Sequence, residues 1–141
     1  MKCWPIVLDQ GALETIRQVL GKEPNVLAAW LFGSQASGRS GPDSDVDIAI
    51  LCKERLTYRE HLRIAGELER SLGVERVDLV SLDASQPVLA FEAIRGRQVL
   101  DRDPSARVAF VSLVSRVYED VMANLERALF YRQRAQEART S

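Results

Sequence analysis

Asp45 and Asp47 stand two positions apart, ten residues beyond a Gly33-Ser34 pair. Side chains two apart on a strand point to the same side, so on a strand these two carboxylates would share one face. Adjacent carboxylates repel, and burying them unpaired is costly. A divalent cation relieves both problems, and hard oxygen ligands favour magnesium or manganese. Gly33 has no side chain, so its backbone can approach an anion, and the Ser34 hydroxyl with the amides that follow can donate to phosphate oxygens. A phosphate cradle beside a metal site is what nucleotide transfer from a triphosphate needs. Asp78 is the third candidate. It interrupts the apolar run Val77-Asp78-Leu79-Val80. If that run pairs beside the Asp45–Cys52 segment, its carboxylate reaches the same cluster and can accept a proton from an attacking hydroxyl.

The elements needed to position these residues are legible in the hydrophobic pattern. Leu13, Ile16, Val19 and Leu20 repeat at helical spacing, with Gly21 as the expected stop. Val26–Phe32 is a continuous apolar run suited to a strand buried on both faces. A Gly- and Ser-rich stretch from Gly33 to Pro42 ends it. Asp45–Cys52 reads as a second strand, with Val46, Ile48 and Ile50 on one face and Asp45, Asp47 and Ala49 on the other. Thr57 caps a helix running to about Leu72, its expected core stripe being Leu62, Ala65, Leu68 and Leu72, and Gly73 stops it. Val77–Leu82 is a third strand, Pro87–Arg95 a helix ended by Gly96, and Gln98–Leu100 an edge strand.

From Pro104 onward there is no Gly and no further Pro, and Phe110, Val114, Val117, Val121, Leu125 and Ala128 form one helical stripe. One helix there would be roughly 50 Å long, more than the body of so small a domain, so it either breaks or extends past that body. The expected organisation is a domain over residues 1–103 and a helical extension over 104–141, in an α/β (α+β) fold with a small mixed sheet flanked by helices.

Composition removes several other classes. With 141 residues, 46% hydrophobic and 28% charged, the chain has the size and balance of a single globular domain. A net charge of -1 gives no basic face for a duplex, so no direct nucleic-acid binding is expected. The longest apolar run falls far short of the roughly 20 residues a membrane helix needs. Two cysteines, Cys3 and Cys52, are too few for a disulfide framework or a zinc site, and a reduced, cytoplasmic protein is expected. Trp30 reads as core, the single histidine, His61, as a surface residue, and Asp83 as a loop carboxylate competing with Asp78.

Gly33-Ser34, ten residues, then Asp45-Val46-Asp47 resembles the signature of the DNA polymerase β-type nucleotidyltransferase superfamily. The short chain and the phrase Pro42-Asp43-Ser44-Asp45-Val46-Asp47 resemble its minimal nucleotidyltransferase (MNT) branch, across roughly residues 10 to 100. The long final helix, with Tyr118-Glu119-Asp120 near its middle, is similar to the tail of MNT antitoxins encoded beside HEPN ribonuclease toxins. The resemblance implies that Gly33 and Ser34 hold the triphosphate of ATP, and that Asp45 and Asp47 bind two magnesium ions. It implies Asp78 as the third carboxylate and base. The implied reaction is AMP transfer from ATP to a tyrosine hydroxyl of a HEPN toxin, which silences it. Many relatives carry Arg where this chain has Ser37; Arg39 is the candidate to supply that phosphate contact. Two alternatives come from other classes: an antitoxin that neutralises by binding alone, and a transferase acting on a small hydroxylated acceptor.

Overall fold

The computed structural model describes residues 10–33, 46–83 and 85–140. In chain order these form α1 (Gln10–Gly21), β1 (Val26–Phe32), β2 (Val46–Cys52), α2 (Tyr58–Leu72), β3 (Val77–Ser81), α3 (Pro87–Ile94), β4 (Arg97–Asp101) and α4 (Pro104–Thr140). The strands make one mixed sheet in the order β3-β2-β1-β4. β1 is antiparallel to both β2 and β4, whereas β3 runs parallel to β2 across the α2 crossover. This is the expected α/β architecture, with β4 extending one residue further at each end than the pattern suggested.

β1 is apolar throughout because it is central and covered on both sides. Val26, Ala29 and Leu31 face the main core, which contains Leu13, Ile16 and Leu20 of α1 and Ile64 and Leu68 of α2. Ala28 and Trp30 face the other way, with Leu51, toward Ile94 of α3 and Phe110 and Val111 of α4. A register shift between Val26 and Ala28 lets Val26 share a face with Ala29 despite the odd spacing. In β2, Val46, Ile48 and Ile50 lie in the main core as the alternation required.

The α2 stripe holds at Ala65, Leu68 and Leu72, which face the core, and departs from the expected one at Leu62. Leu62 is 52% exposed, whereas Ile64 is fully buried with Leu68. At 3.6 residues per turn, Leu62 lies about 120° round the helix from Leu68, while Ile64 lies about 40° away. The ends of α2 are as expected. Thr57 and Glu60 form a reciprocal capping box, and Gly73 adopts left-handed geometry with φ of 69°. Gly21 differs: α1 runs through it, and the positive-φ glycines among the described residues are Gly33 and Gly73. Arg102 instead satisfies this corner, its Nη1 donating to the Gly21 carbonyl at 3.3 Å and to the Glu23 carbonyl at 2.7 Å.

Replacing Thr57 by Ala removes the hydroxyl that accepts from the Glu60 amide at 3.1 Å. The expected cost is about 1 kcal/mol, or a melting temperature lower by roughly 3–5 °C in calorimetry. An unchanged transition would exclude the box as a stabilising element. Its hydrogen bonds with Thr57 hold the Glu60 carboxyl below its usual value of 4.5. The box therefore contributes fully above that value, and its contribution falls away as pH drops through the lowered one.

α4 is one uninterrupted helix of 37 residues, about 55 Å long. Val114 is its buried residue, and its ring at Tyr118 stacks on Phe91 of α3 with centroids 3.8 Å apart. From residue 123 onward every described residue is exposed, so the helix extends past the body rather than breaking.

Candidate active site

β1 ends at Phe32, which pairs with Asp47 of β2. On the other side of β2, Asp47 pairs with Asp78 of β3. Register partners in parallel strands put their side chains on the same face, with backbones about 4.8 Å apart. Both carboxylates therefore project from the sheet face opposite the main core, at the end not covered by Trp30 and Leu51. Sequence alternation had put Asp47 and Asp78 on suitable faces; the parallel pairing makes them neighbours.

Gly33 completes the arrangement. It turns away from β1 with φ of +72°, and a Cβ at this position would lie 2.3 Å from Asp47 Oδ2. The absence of a side chain is thus a steric requirement of the Asp47 carboxylate as well as of the backbone turn. Phe32, Asp47, Asp78, Val80 and Leu89 line a groove of about 560 Å³ along the β3 edge, bordered on α2 by His61 and Leu62.

Ser34, Arg39 and Asp45 lie outside the described residues, as do Cys3 and Ser37. Among the described residues no cluster of three His, Cys, Asp or Glu side chains is gathered. The paired oxygens of Asp47 and Asp78 are a donor set suited to a hard divalent cation, with Asp45 adjoining in sequence.

Arg76 was not anticipated. Its Nε donates to Asp78 Oδ1 at 3.2 Å, offsetting the charge of one carboxylate beside the other. The pair is exposed, 69% for Arg76 and 38% for Asp78, so its strength is modest and its exchange with solvent ions easy. The available signal was spacing: Arg76 precedes Asp78 by two and so falls on the same side of the chain. Glu69 Oε2 accepts from the Val77 amide at 3.0 Å, fixing the start of β3 next to the site.

Asp83 is placed elsewhere. Its Oδ1 accepts from the Ser85 amide at 2.9 Å, which holds the carboxyl below the usual range. It borders a separate hollow with Cys52, Thr57 and Phe110, beyond the other end of β3. Burial pushes the half-buried Cys52 thiol up to about 11, leaving it protonated and unsuited to nucleophilic work. Trp30, 2% exposed, is core as expected.

A strand ending in a glycine turn, with the next two strands presenting neighbouring aspartates beside it, defines a nucleotidyltransferase fold and site. The chain belongs to the Polymerase beta, Nucleotidyltransferase family, whose profile matches residues 14–105, all four strands included. It is 29% identical over 112 residues to the protein adenylyltransferase MntA of Shewanella oneidensis strain MR-1, spanning 72% of this chain and 80% of that protein. The fold is shared with a crystal structure of a toxin-antitoxin with AMP-PNP, at a TM-score of 0.72 and 24% identity over 86% of this chain and 98% of that one. It is also similar to a structure of the tri-AMPylated Shewanella oneidensis HEPN toxin in complex with MNT antitoxin, at a TM-score of 0.66 and 22% identity over 86% and 96% of the two chains. No helix among the described residues is long and apolar enough to cross a membrane.

Proposed function

We propose that this chain is an antitoxin-type protein adenylyltransferase, moving AMP from ATP to a tyrosine hydroxyl of a HEPN-type toxin and so neutralising it. The observation that carries the reading is the juxtaposition of Gly33, Asp47 and Asp78 at one end of the sheet. Similarity to MntA supports the choice of AMP donor chemistry and of a protein acceptor.

Asp45, Asp47 and Asp78 would hold magnesium, which on binding neutralises the triphosphate and the charge developing at its α-phosphorus. Gly33, Ser34 and Arg39 would steady the β- and γ-phosphates. The acceptor oxygen attacks the α-phosphorus while the bond to the β-phosphate oxygen breaks and pyrophosphate leaves. Asp78 would accept the hydroxyl proton, and Arg76, already bonded to it, would orient its carboxylate. In this reading residues 1–103 carry catalysis and 104–141 carry the partner, although the first turns of α4 pack on the body.

The test is intact-mass analysis of the toxin encoded beside this chain, co-expressed with the wild type and with the Asp45→Asn/Asp47→Asn protein. The expected result is one or more additions of AMP with the wild type and none with the double variant. An unmodified toxin in a wild-type complex given ATP and magnesium would defeat the reading. Protection of cells by the double variant would replace it with neutralisation by binding alone, for which the exposed α4 is the motivating feature.

A further inference from the structure

We infer that the outer half of α4 is a docking rail for one helix of the protein acceptor, a helix whose apolar stripe continues into acidic residues. The inference rests on the protein-acceptor reading above and deepens it. The buried face of α4 is centred on Val114. Counted at 100° per residue, Val121 and Leu125 fall within about 20° of that row and Leu129 about 60° to one side of it, as the helix leaves the body. Leu125 is 49% exposed and Leu129 is 53% exposed. A stripe that is buried where the body covers it and apolar where nothing does is built for a second surface on the same side.

The row then changes character. Arg132 and Arg139 lie in line with Leu125, seven residues apart, and among the described residues neither has a carboxylate partner. The other two arginines of this segment are engaged on the helix itself. Arg127 donates to Asn124, and the Arg134 guanidinium sits 5.7 Å from the Phe130 ring centre. Glu126 and Glu137 point about 100° or more away from the row. A second copy of this chain laid along the row would bring arginines and leucines to it, with its own Glu126 and Glu137 off to the side. The charge pattern selects a different chain that supplies acids opposite Arg132 and Arg139.

The rail is aimed at the site. Phe110 borders the hollow that Gln86 also lines, at the start of α3, and Tyr118 stacks on Phe91 farther along it. α4 thus follows α3 in the same sense. α3 leads to Gly96, which lies against the Leu31 carbonyl and Phe32, at the Gly33 end of the sheet. A helix docked on the rail would therefore lie toward the end of the sheet that carries Asp47 and Asp78, which would convert acceptor encounter into a positioned reaction.

The experiment measures affinity of the full chain for the toxin encoded beside it, by calorimetry, and AMP addition by mass. Arg132→Glu/Arg139→Glu is expected to weaken binding at least tenfold and slow AMP addition at limiting toxin, with helicity unchanged by circular dichroism because the sites are exposed. Wild-type affinity should fall by a similar factor between low and high salt, a readout that needs no variant. Wild-type affinity in the double variant, or affinity indifferent to salt, overturns the inference. So does a solution mass showing that a second copy occupies the rail. If binding weakens as expected while no AMP is ever added, the rail stands and the transferase reading fails.

Discussion

An Asp47→Asn protein is expected to add AMP to its acceptor at least ~10³-fold more slowly, about 4 kcal/mol of lost transition-state stabilisation. The side chain keeps its size, and the amide keeps one acceptor oxygen, so the neighbours Phe32 and Asp78 need not move. What changes is charge. Removing one of two adjacent carboxylates relieves their mutual repulsion. The melting temperature should therefore hold or rise slightly while catalysis collapses. Initial rates from intact mass, together with calorimetry, check both halves. A rate within tenfold of wild type would remove Asp47 from the site, and a large fall in melting temperature would mean that it acts by holding β1 and β2 together.

The second large effect is at Gly33. Replacing it with Ala places a methyl 2.3 Å from Asp47 Oδ2, so either the carboxylate or the turn must shift. A misplacement of about 1 Å at a reacting centre costs on the order of 10²-fold in rate. The left-handed backbone adds about 1–2 kcal/mol of instability. Gly73 supplies the control. It has nearly the same φ, +69°, but a Cβ there meets nothing within 4 Å. Gly73→Ala should thus lose similar stability with transfer unchanged. Equal loss of activity in both proteins would show that Gly33 matters only as a flexible link.

These effects depend on features that the sequence and the tertiary structure supply separately. The Thr57 cap, the Gly73 stop and the alternation of β2 follow from local rules and are present as expected, with Glu60 adding the reciprocal half of the cap. Local rules failed where the deciding contact is remote. Leu62 fits a helical repeat as well as Ile64 does, and only the direction from which the sheet approaches α2 chooses between them. Gly21 reads as a helix stop like other glycines, but α1 runs through it, and Arg102, distant in sequence, supplies the hydrogen bonds that close this corner. Arg76 carried no motif, and its role appears once β3 fixes Asp78 beside it.

Residue types and spacing alone determined which side chains could perform phosphoryl chemistry, because strand alternation and glycine's missing side chain are properties of the chain itself. They also limited the last segment to two outcomes, a break or a helix longer than the body, since the rise per residue is constant; the uninterrupted α4 is the second. Tertiary structure decided which strands are neighbours: Asp47 stands opposite Asp78 because β2 and β3 pair in parallel, a register set by packing on both faces of the sheet. It decided, too, that the body covers α4 in part as far as Met122 and leaves the rest of its apolar stripe in solvent, because the extent of a domain's surface is settled only when all its layers have assembled.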